Sequence, residues 1–243
     1  MALRVGVIGG GQLARMMIAP AVELGLDLRV LAEGEGMSAA LAATAVGDYR
    51  DLDTVRAFAA GVDVVTFDHE HVPQDVLRAL VADGVVVHPG PDALQFAQDK
   101  LVMRARLAEL GVPQPDWAPV RSVAELQDFL DAHGGAGVVK TPRGGYDGKG
   151  VRVVRAASEA LDWLDALAGD DALLVEELVP FVRELAQQVA RRPSGQIVAY
   201  PGGEAVQRDG GGAEGVAPAP APAAAAAPRP AFALPTTSST SVG

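Results

Sequence analysis

The stretch VVKTPRGGYDGKG, residues 138–150, places an unusual set of side chains close together. An apolar, β-branched lead-in delivers Lys140, and a loop follows that holds Gly144, Gly145, Gly148 and Gly150. Among these glycines stand Arg143, Tyr146, Asp147 and Lys149. Glycines let backbone amides approach phosphate oxygens closely. Lys140 and Lys149 would supply the positive charge that a polyphosphate needs. No Gly-x-x-x-x-Gly-Lys-[Ser/Thr] is present, so this is not a Walker A loop. An ordinary hairpin turn would need neither four glycines nor two lysines.

A second constellation lies near the start. Gly9-x-Gly11-x-x-Ala14 follows a β-branched apolar run and opens a helical pattern, the context of a dinucleotide fingerprint. Backbone amides at such a helix start can hold a phosphate. Glu33 follows at the spacing of a ribose-binding acid. These residues fit a nicotinamide enzyme, any phosphate ligand, or a plain tight turn. The cluster Thr66-Phe67-Asp68-His69-Glu70-His71-Val72-Pro73 should sit at the carboxyl edge of the same sheet, where open α/β folds bind ligands. Its two histidines and two acids do not share one face of a helix or strand, which argues against a metal site. Glu70 is better placed as an acceptor for a polar substrate. A third segment, residues 173–179, is an apolar strand that ends in Glu176 and Glu177. Its backbone could pair with an adenine, with Glu184 available for ribose hydroxyls.

Periodicity supplies the elements that must position these groups. Short apolar runs at 3–8, 28–32, 62–67 and 85–88 predict strands, alternating with helices at 12–24, 52–60 and 72–82. Such alternation predicts an open parallel α/β sheet. Pro20 should kink or break the first helix. After Pro89-Gly90-Pro91 the rhythm changes. A helix is expected over 92–110 and another over 123–132. Strands follow at 137–140 and 151–154, a helix at 158–167, and strands at 173–176, 184–192 and 197–200. This second part reads as α+β with antiparallel hairpins. From about Gly210 the chain is Gly-, Ala- and Pro-rich and then Ser/Thr-rich. Such a segment cannot bury enough apolar surface to offset its ordering entropy, so disorder is expected there.

Composition narrows the function classes. The 243 residues are 49% hydrophobic and carry a formal charge of −11 without any basic run. A nucleic-acid partner is therefore not expected, because phosphate backbones require clustered Lys and Arg. No cysteine is present, which removes disulfides and thiolate chemistry and fits a reducing compartment. No apolar run approaches the roughly 18 residues of a membrane span. Gly9, Gly10, Gly11 and Arg15 interrupt any signal-peptide core. A cytoplasmic protein is expected.

Together the segments resemble one family. Its motifs are Gly9-Gly10-Gly11-Gln12-Leu13-Ala14-Arg15-Met16, residues 66–73, Asp99-Lys100, Lys140 with Arg143–Gly150, and Glu176-Glu177-Leu178-Val179-Pro180-Phe181-x-Arg183-Glu184-Leu185. They are similar to those of the N5-carboxyaminoimidazole ribonucleotide synthases, over roughly residues 3–207. The Arg-Gly-Gly-Tyr-Asp-Gly-Lys-Gly loop is the most specific part. The resemblance implies a Rossmann-like pre-ATP-grasp domain (1–98), a partial ATP-grasp domain (99–209) and a low-complexity tail (210–243). It implies ATP-dependent activation of bicarbonate to carboxyphosphate, and transfer of the carboxyl group to the amino nitrogen of aminoimidazole ribonucleotide. Magnesium would hold the ATP phosphates, and the family is commonly dimeric. In the implied roles, Lys100, Lys140, Gly145, Tyr146, Asp147, Gly148, Lys149, Gly150, Val151, Glu176, Glu177, Leu178, Val179, Glu184 and Gln207 bind ATP. Gly10, Gly11, Gln12 and Leu13 would hold the ribonucleotide phosphate and Glu70 its ribose or base. Tyr146, Asp147 and Lys149 would face the reacting groups.

The sequence departs from the family after residues 204–210, with a further echo at 217–220. The family's two metal-binding acids, its Asn-Glu pair and its Pro-Arg-x-His-Asn-Ser-Gly-His stretch are not in this sequence. No metal ligand is therefore assigned in this chain, and a truncated or frame-shifted product is expected. Two other readings stand beside this one. A nicotinamide-dependent oxidoreductase would rest on Gly9, Gly11, Ala14 and Glu33, and would leave the second loop unexplained. A non-catalytic remnant that still holds a nucleotide is the other.

Overall fold

The computed structural model describes residues 1–145, 149–208 and 211–220, with the backbone alone at 206–208 and 211–214. The chain divides into two compact units, Met1–Met103 and Arg104–Gly243.

The first unit begins with β1 (Arg4–Ile8), α1 (Gln12–Glu23), β2 (Asp27–Ala32) and β3 (Ala43–Val46). Then come α2 (Leu52–Ala59), β4 (Val64–Phe67), α3 (Gln74–Ala82), α4 (Pro91–Gln98) and the start of α5 (Lys100–Glu109). The four strands form one parallel sheet in the order β3-β2-β1-β4. β1 is central, with Val7 opposite both Val30 of β2 and Thr66 of β4. Its continuous apolar run reflects burial on both faces. Ile8, Leu31 and Val65 pack with Val55, Phe58, Leu77 and Leu80 of α2 and α3. Val7 and Val30 pack with Ala14 of α1 and with Ala39. Each fully buried Leu or Val here contributes about 1.5–3 kcal/mol. Asp51 caps α2 through the Thr54 N–H at 3.1 Å.

Three local expectations are corrected in this unit, and one strand was missed. α1 runs through Pro20 without a break, three residues before its end. Residues 85–88 make only a single parallel bridge, Val65 to Val87. The helix expected over 92–110 is two helices parted at Asp99, whose backbone is extended. Strand β3 was not anticipated; its Ala43-Thr44-Ala45 is too weakly β-forming for propensity to reveal it.

The second unit carries β5 (Trp117–Val120), α6 (Val123–Ala132), β6 (Gly137–Lys140), β7 (Val151–Val154), a 3-10 turn (Ala157–Ala160), α7 (Leu161–Asp165) and β8 (Leu173–Glu177). These strands make an antiparallel sheet in the order β5-β8-β6-β7. One face presents Val120, Val139, Val154, Leu173 and Val175 to Leu126 and Leu130 of α6 and to Leu164 of α7. Ser122 caps α6, accepting the Glu125 N–H at 3.2 Å. Glu125 in return accepts the Arg121 N–H at 2.6 Å. This is a near relative of the capping box.

Beyond this sheet lie β9 (Glu184–Ala186), β10 (Val189–Arg191), β11 (Ile197–Ala199), β12 (Gly203–Arg208) and β13 (Gly211–Val216). The single strand expected over 184–192 is two strands in different sheets: β9 pairs with β12, and β10 with β11. The onset of disorder at Gly210 is also corrected. Residues 211–216 are a strand, antiparallel to β12 from Glu204–Val216 to Arg208–Gly211. A ladder satisfies the backbone of Gly and Ala whatever their side chains, which composition does not reveal. The expected disorder of 221–243 lies outside the described residues.

Candidate functional site

In the first unit the candidate residues gather where β1, β2 and β4 end. The ladders continue one step past the strands, through Gly9 N–H to Leu31 O and Asp68 N–H to Ile8 O, both 2.9 Å. This fixes the glycine turn against the loop after β4. Gly9 has φ +106°, a conformation open mainly to glycine. A Cβ on Gly10 would lie 2.8 Å from that of Ala32, and one on Gly11 would collide with the Asp68 carboxylate.

Two acids hold the turn. Glu33 accepts the Gly10 N–H at 2.9 Å and meets His69 Nε2 at 3.0 Å. The His71 N–H points to His69 Nδ1 at 3.2 Å, so the ring proton belongs on Nε2 and His69 donates to Glu33. Burial opposes charge on Glu33, but the Gly10 N–H, its own N–H and His69 outweigh it, and its pKa is lowered. Asp68 accepts the Gly11 N–H at 2.8 Å and the Ala14 N–H at 2.5 Å. It therefore caps α1, whose own N-cap, Gly11, has no side chain. Of the four candidate phosphate-binding residues, Gly10 and Gly11 already spend their N–H groups on Glu33 and Asp68. Among the described residues no acceptor meets the N–H of Gln12 or Leu13.

Glu33 is thus an internal strut, and Asp68 occupies the position where a dinucleotide pyrophosphate would approach the turn. Both facts weigh against the nicotinamide reading. Glu70 lies half-buried in the same loop, which Gln98 braces through the Glu70 and Val72 carbonyls at 2.8 and 2.7 Å. Lys100 is the first residue of α5.

In the second unit the strand register brings most of the remaining candidates together. Lys140 faces Val151 on one side and Leu174 on the other, while Glu176 pairs with Val138 and Glu177 with Gly137. Lys140 and Glu176 therefore share the sheet face opposite the core, one rung apart. Lys140 Nζ lies 2.5 Å from Glu176 Oε2. Arg104 Nε donates to Glu176 Oε1 at 2.8 Å, and Nη2 lies 2.8 Å from the same oxygen in the ion pair. Gln114 binds Arg104 in turn, with Nε2 to its carbonyl at 3.1 Å and Oε1 near Nη1 at 3.4 Å.

The stem of the glycine loop is closed by Thr141 N–H to Gly150 O at 2.9 Å. Gly144 and Gly150 have φ of +75° and +77°. A Cβ on Gly145 would sit 2.7 Å from Lys149 O. Tyr146, Asp147 and Gly148 lie outside the described residues. Leu178 and Val179 follow β8 on a partly exposed segment. Glu184 and Gln207 are carried instead by the small β13-β12-β9 sheet, where Glu184 pairs with Ala205 and Gln207 lies two residues further along β12. Among the described residues no three His, Asp or Glu side chains converge as a metal site.

Sequence reasoning assigned no role to Asp68, Arg104 or Gln114. A signal for a partner of Glu176 existed, since an acid inside the apolar run Leu-Leu-Val-Glu must be paired if buried. For Asp68 no local signal existed.

Comparison with known proteins adds to this geometry. Residues 1–98 match the ribonucleotide synthetase preATP-grasp domain and residues 105–235 match the ATP-grasp domain. The N5-carboxyaminoimidazole ribonucleotide synthase of Mycobacterium tuberculosis is 49% identical over 209 residues, 85% of this chain and 49% of its own length. That of Corynebacterium ammoniagenes is 49% identical over 221 residues, 88% of this chain and 52% of its own. The chain spans about half the length of the curated relatives it matches. The crystal structure of the Thermus thermophilus synthetase is similar with a TM-score of 0.77 and 34% identity, covering 89% of this chain and 58% of that one. The Aspergillus clavatus synthase, in complex with ADP and 5-aminoimidazole ribonucleotide, gives a TM-score of 0.78 at 28% identity, covering 92% and 59%. The chain belongs to the ATP-grasp family, and over most of its length it is similar to N5-carboxyaminoimidazole ribonucleotide synthases.

Proposed function

We propose that this chain carries the nucleotide- and ribonucleotide-binding parts of an ATP-dependent carboxylase of purine synthesis. Its substrates are aminoimidazole ribonucleotide and bicarbonate. The observation that carries this reading is the Lys140–Glu176 pair beside a glycine loop, on a sheet whose relatives are solved with ADP, ATP and the ribonucleotide. ATP supplies the phosphoryl group that turns bicarbonate into carboxyphosphate, whose carboxyl carbon then accepts the amino nitrogen of the ribonucleotide as phosphate leaves. Such phosphoryl transfer needs positioning and charge more than covalent help.

In this reading Lys140 and Lys149 face the nucleotide phosphates, and the loop of Gly145 to Val151 folds over them. Tyr146 and Asp147 at its tip face bicarbonate and the aminoimidazole, and closure keeps water from the reactive acyl phosphate. The backbone of Glu176 to Val179 pairs with adenine, while Lys100, Glu184 and Gln207 complete the nucleotide contacts. The Gln12 and Leu13 N–H groups take the ribonucleotide phosphate, and Glu70 its ribose or base. Magnesium belongs to this chemistry; the described residues bring together no ligand set for it, and no step is assigned to it. The reading places the protein in the cytoplasm with its small-molecule substrates.

ADP release by the purified chain with ATP, magnesium and bicarbonate tests the proposal. Release stimulated by aminoimidazole ribonucleotide supports the full activity. Nucleotide binding without release leaves a binding module. No binding of ATP, ADP or the ribonucleotide overturns the reading.

A further inference from the structure

Asp99 and Glu176 are the two buried charged side chains among the described residues. Glu176 is 5% exposed and divides its carboxylate between two cations. Arg104 holds Oε1 through its Nε–H, with Nη2 also 2.8 Å from that oxygen, and Lys140 holds Oε2 with one of its three N–H groups. A lone Lys140–Glu176 pair would be neutral. Drawing Lys140 toward an anion would then strand a buried carboxylate, which is strongly unfavourable. With Arg104 present the trio carries one net positive charge, and Glu176 stays compensated wherever the ammonium points. Gln114 keeps Arg104 in place from the far side.

We infer that Arg104 is a positioning residue for nucleotide phosphates: it grips Glu176 so that Lys140 can turn its ammonium toward a di- or triphosphate. The inference rests on the reading of Lys140 as a nucleotide ligand. Arg104 acts through Glu176 and need not touch the nucleotide. The role is specific to phosphate, so adenosine, which lacks phosphate, is indifferent to it.

The test is calorimetric titration of the whole chain with ADP and with adenosine, for the natural protein, Arg104→Met, Arg104→Lys and Gln114→Leu. Arg104→Met should weaken ADP about tenfold, the worth of one charge-assisted hydrogen bond, with adenosine unchanged. Arg104→Lys should recover part of the loss, because an ammonium keeps the charge but not the rigid, planar guanidinium geometry. Gln114→Leu should show a smaller loss in the same direction. If Arg104→Met does not fold, as judged by circular dichroism, the ADP-to-adenosine ratio of Gln114→Leu decides. An unchanged ratio, or equal loss of both ligands, overturns the role of Arg104 and leaves the nucleotide reading standing. A natural protein that binds neither ligand overturns both. Acetylation of Lys140 by acetic anhydride, read by peptide mass spectrometry, gives a ligand-free check. It should slow in Arg104→Met, where Lys140 becomes the sole partner of Glu176. Equal or faster acetylation counts against the inference.

Discussion

Asp68 and Ala14 lie 54 residues apart in the chain, and the carboxylate of the first accepts the backbone N–H of the second at 2.5 Å. The same carboxylate accepts the Gly11 N–H at 2.8 Å. A helix whose own N-cap is glycine thus receives its cap from a loop at the end of another strand. The anionic side chain also complements the positive end of the helix. Asp68→Ala should therefore cost about 1–2 kcal/mol of stability. Asp68→Asn, which keeps one acceptor oxygen, should cost less. Urea denaturation with an unchanged slope would report this directly. Equal stability of all three proteins would refute the capping role.

Glu33 makes a pH-dependent contribution. Its pKa is lowered from an ordinary value of 4.5 because the Gly10 N–H, its own N–H and His69 together outweigh the cost of burial. A lowered carboxylate stabilises the fold above its unfolded pKa, and that stability is lost as pH falls through the folded value. The melting point of Glu33→Gln should lie below that of the natural protein at pH 7. The gap should close on acidification below about 4.5. A gap constant from pH 7 to pH 3 would contradict this.

Gly150 separates steric from conformational cost. It has φ +77°, and a Cβ there would press on Thr141 Oγ1. Gly150→Ala should cost about 2 kcal/mol or more, from left-handed strain plus the clash. In a Thr141→Ala background the clash with Oγ1 is gone, while the strain, about 1 kcal/mol, and a 3.1 Å approach to the Gly145 Cα remain, so the cost should be smaller. A double-mutant cycle in urea measures the difference.

Leu80 is fully buried between α3 and the parallel sheet. Leu80→Ala should cost about 2–5 kcal/mol, through lost burial and the cavity left behind. Val151→Ala, at a position 45% exposed, should be nearly neutral by comparison. Chemical denaturation of the two variants side by side checks the contrast.

Much of the first unit was legible because its signals are local. The runs Arg4–Ile8, Asp27–Ala32 and Val64–Phe67 are apolar enough to announce buried strands, and glycines mark where the first of them ends. The Lys140–Gly150 loop was legible for the same reason: its residue types have few other uses. The break at Asp99 was not, because the pattern on both sides of it is helical. Strands β12 and β13 were missed because backbone pairing, and not side-chain pattern, makes them.

By itself, the sequence determined the fold class and the family, and it singled out the glycine loops, since each depends on residues adjacent in the chain. Only the tertiary structure decided how the charges are spent. It turned Glu33 inward to the Gly10 amide, set Asp68 on the N-terminus of α1, and placed Arg104 and Lys140 on the two oxygens of Glu176. The reason is physical. A charge removed from water must find its counter-charge or hydrogen bonds wherever the fold brings them, and in this chain those partners lie 23 to 72 residues away.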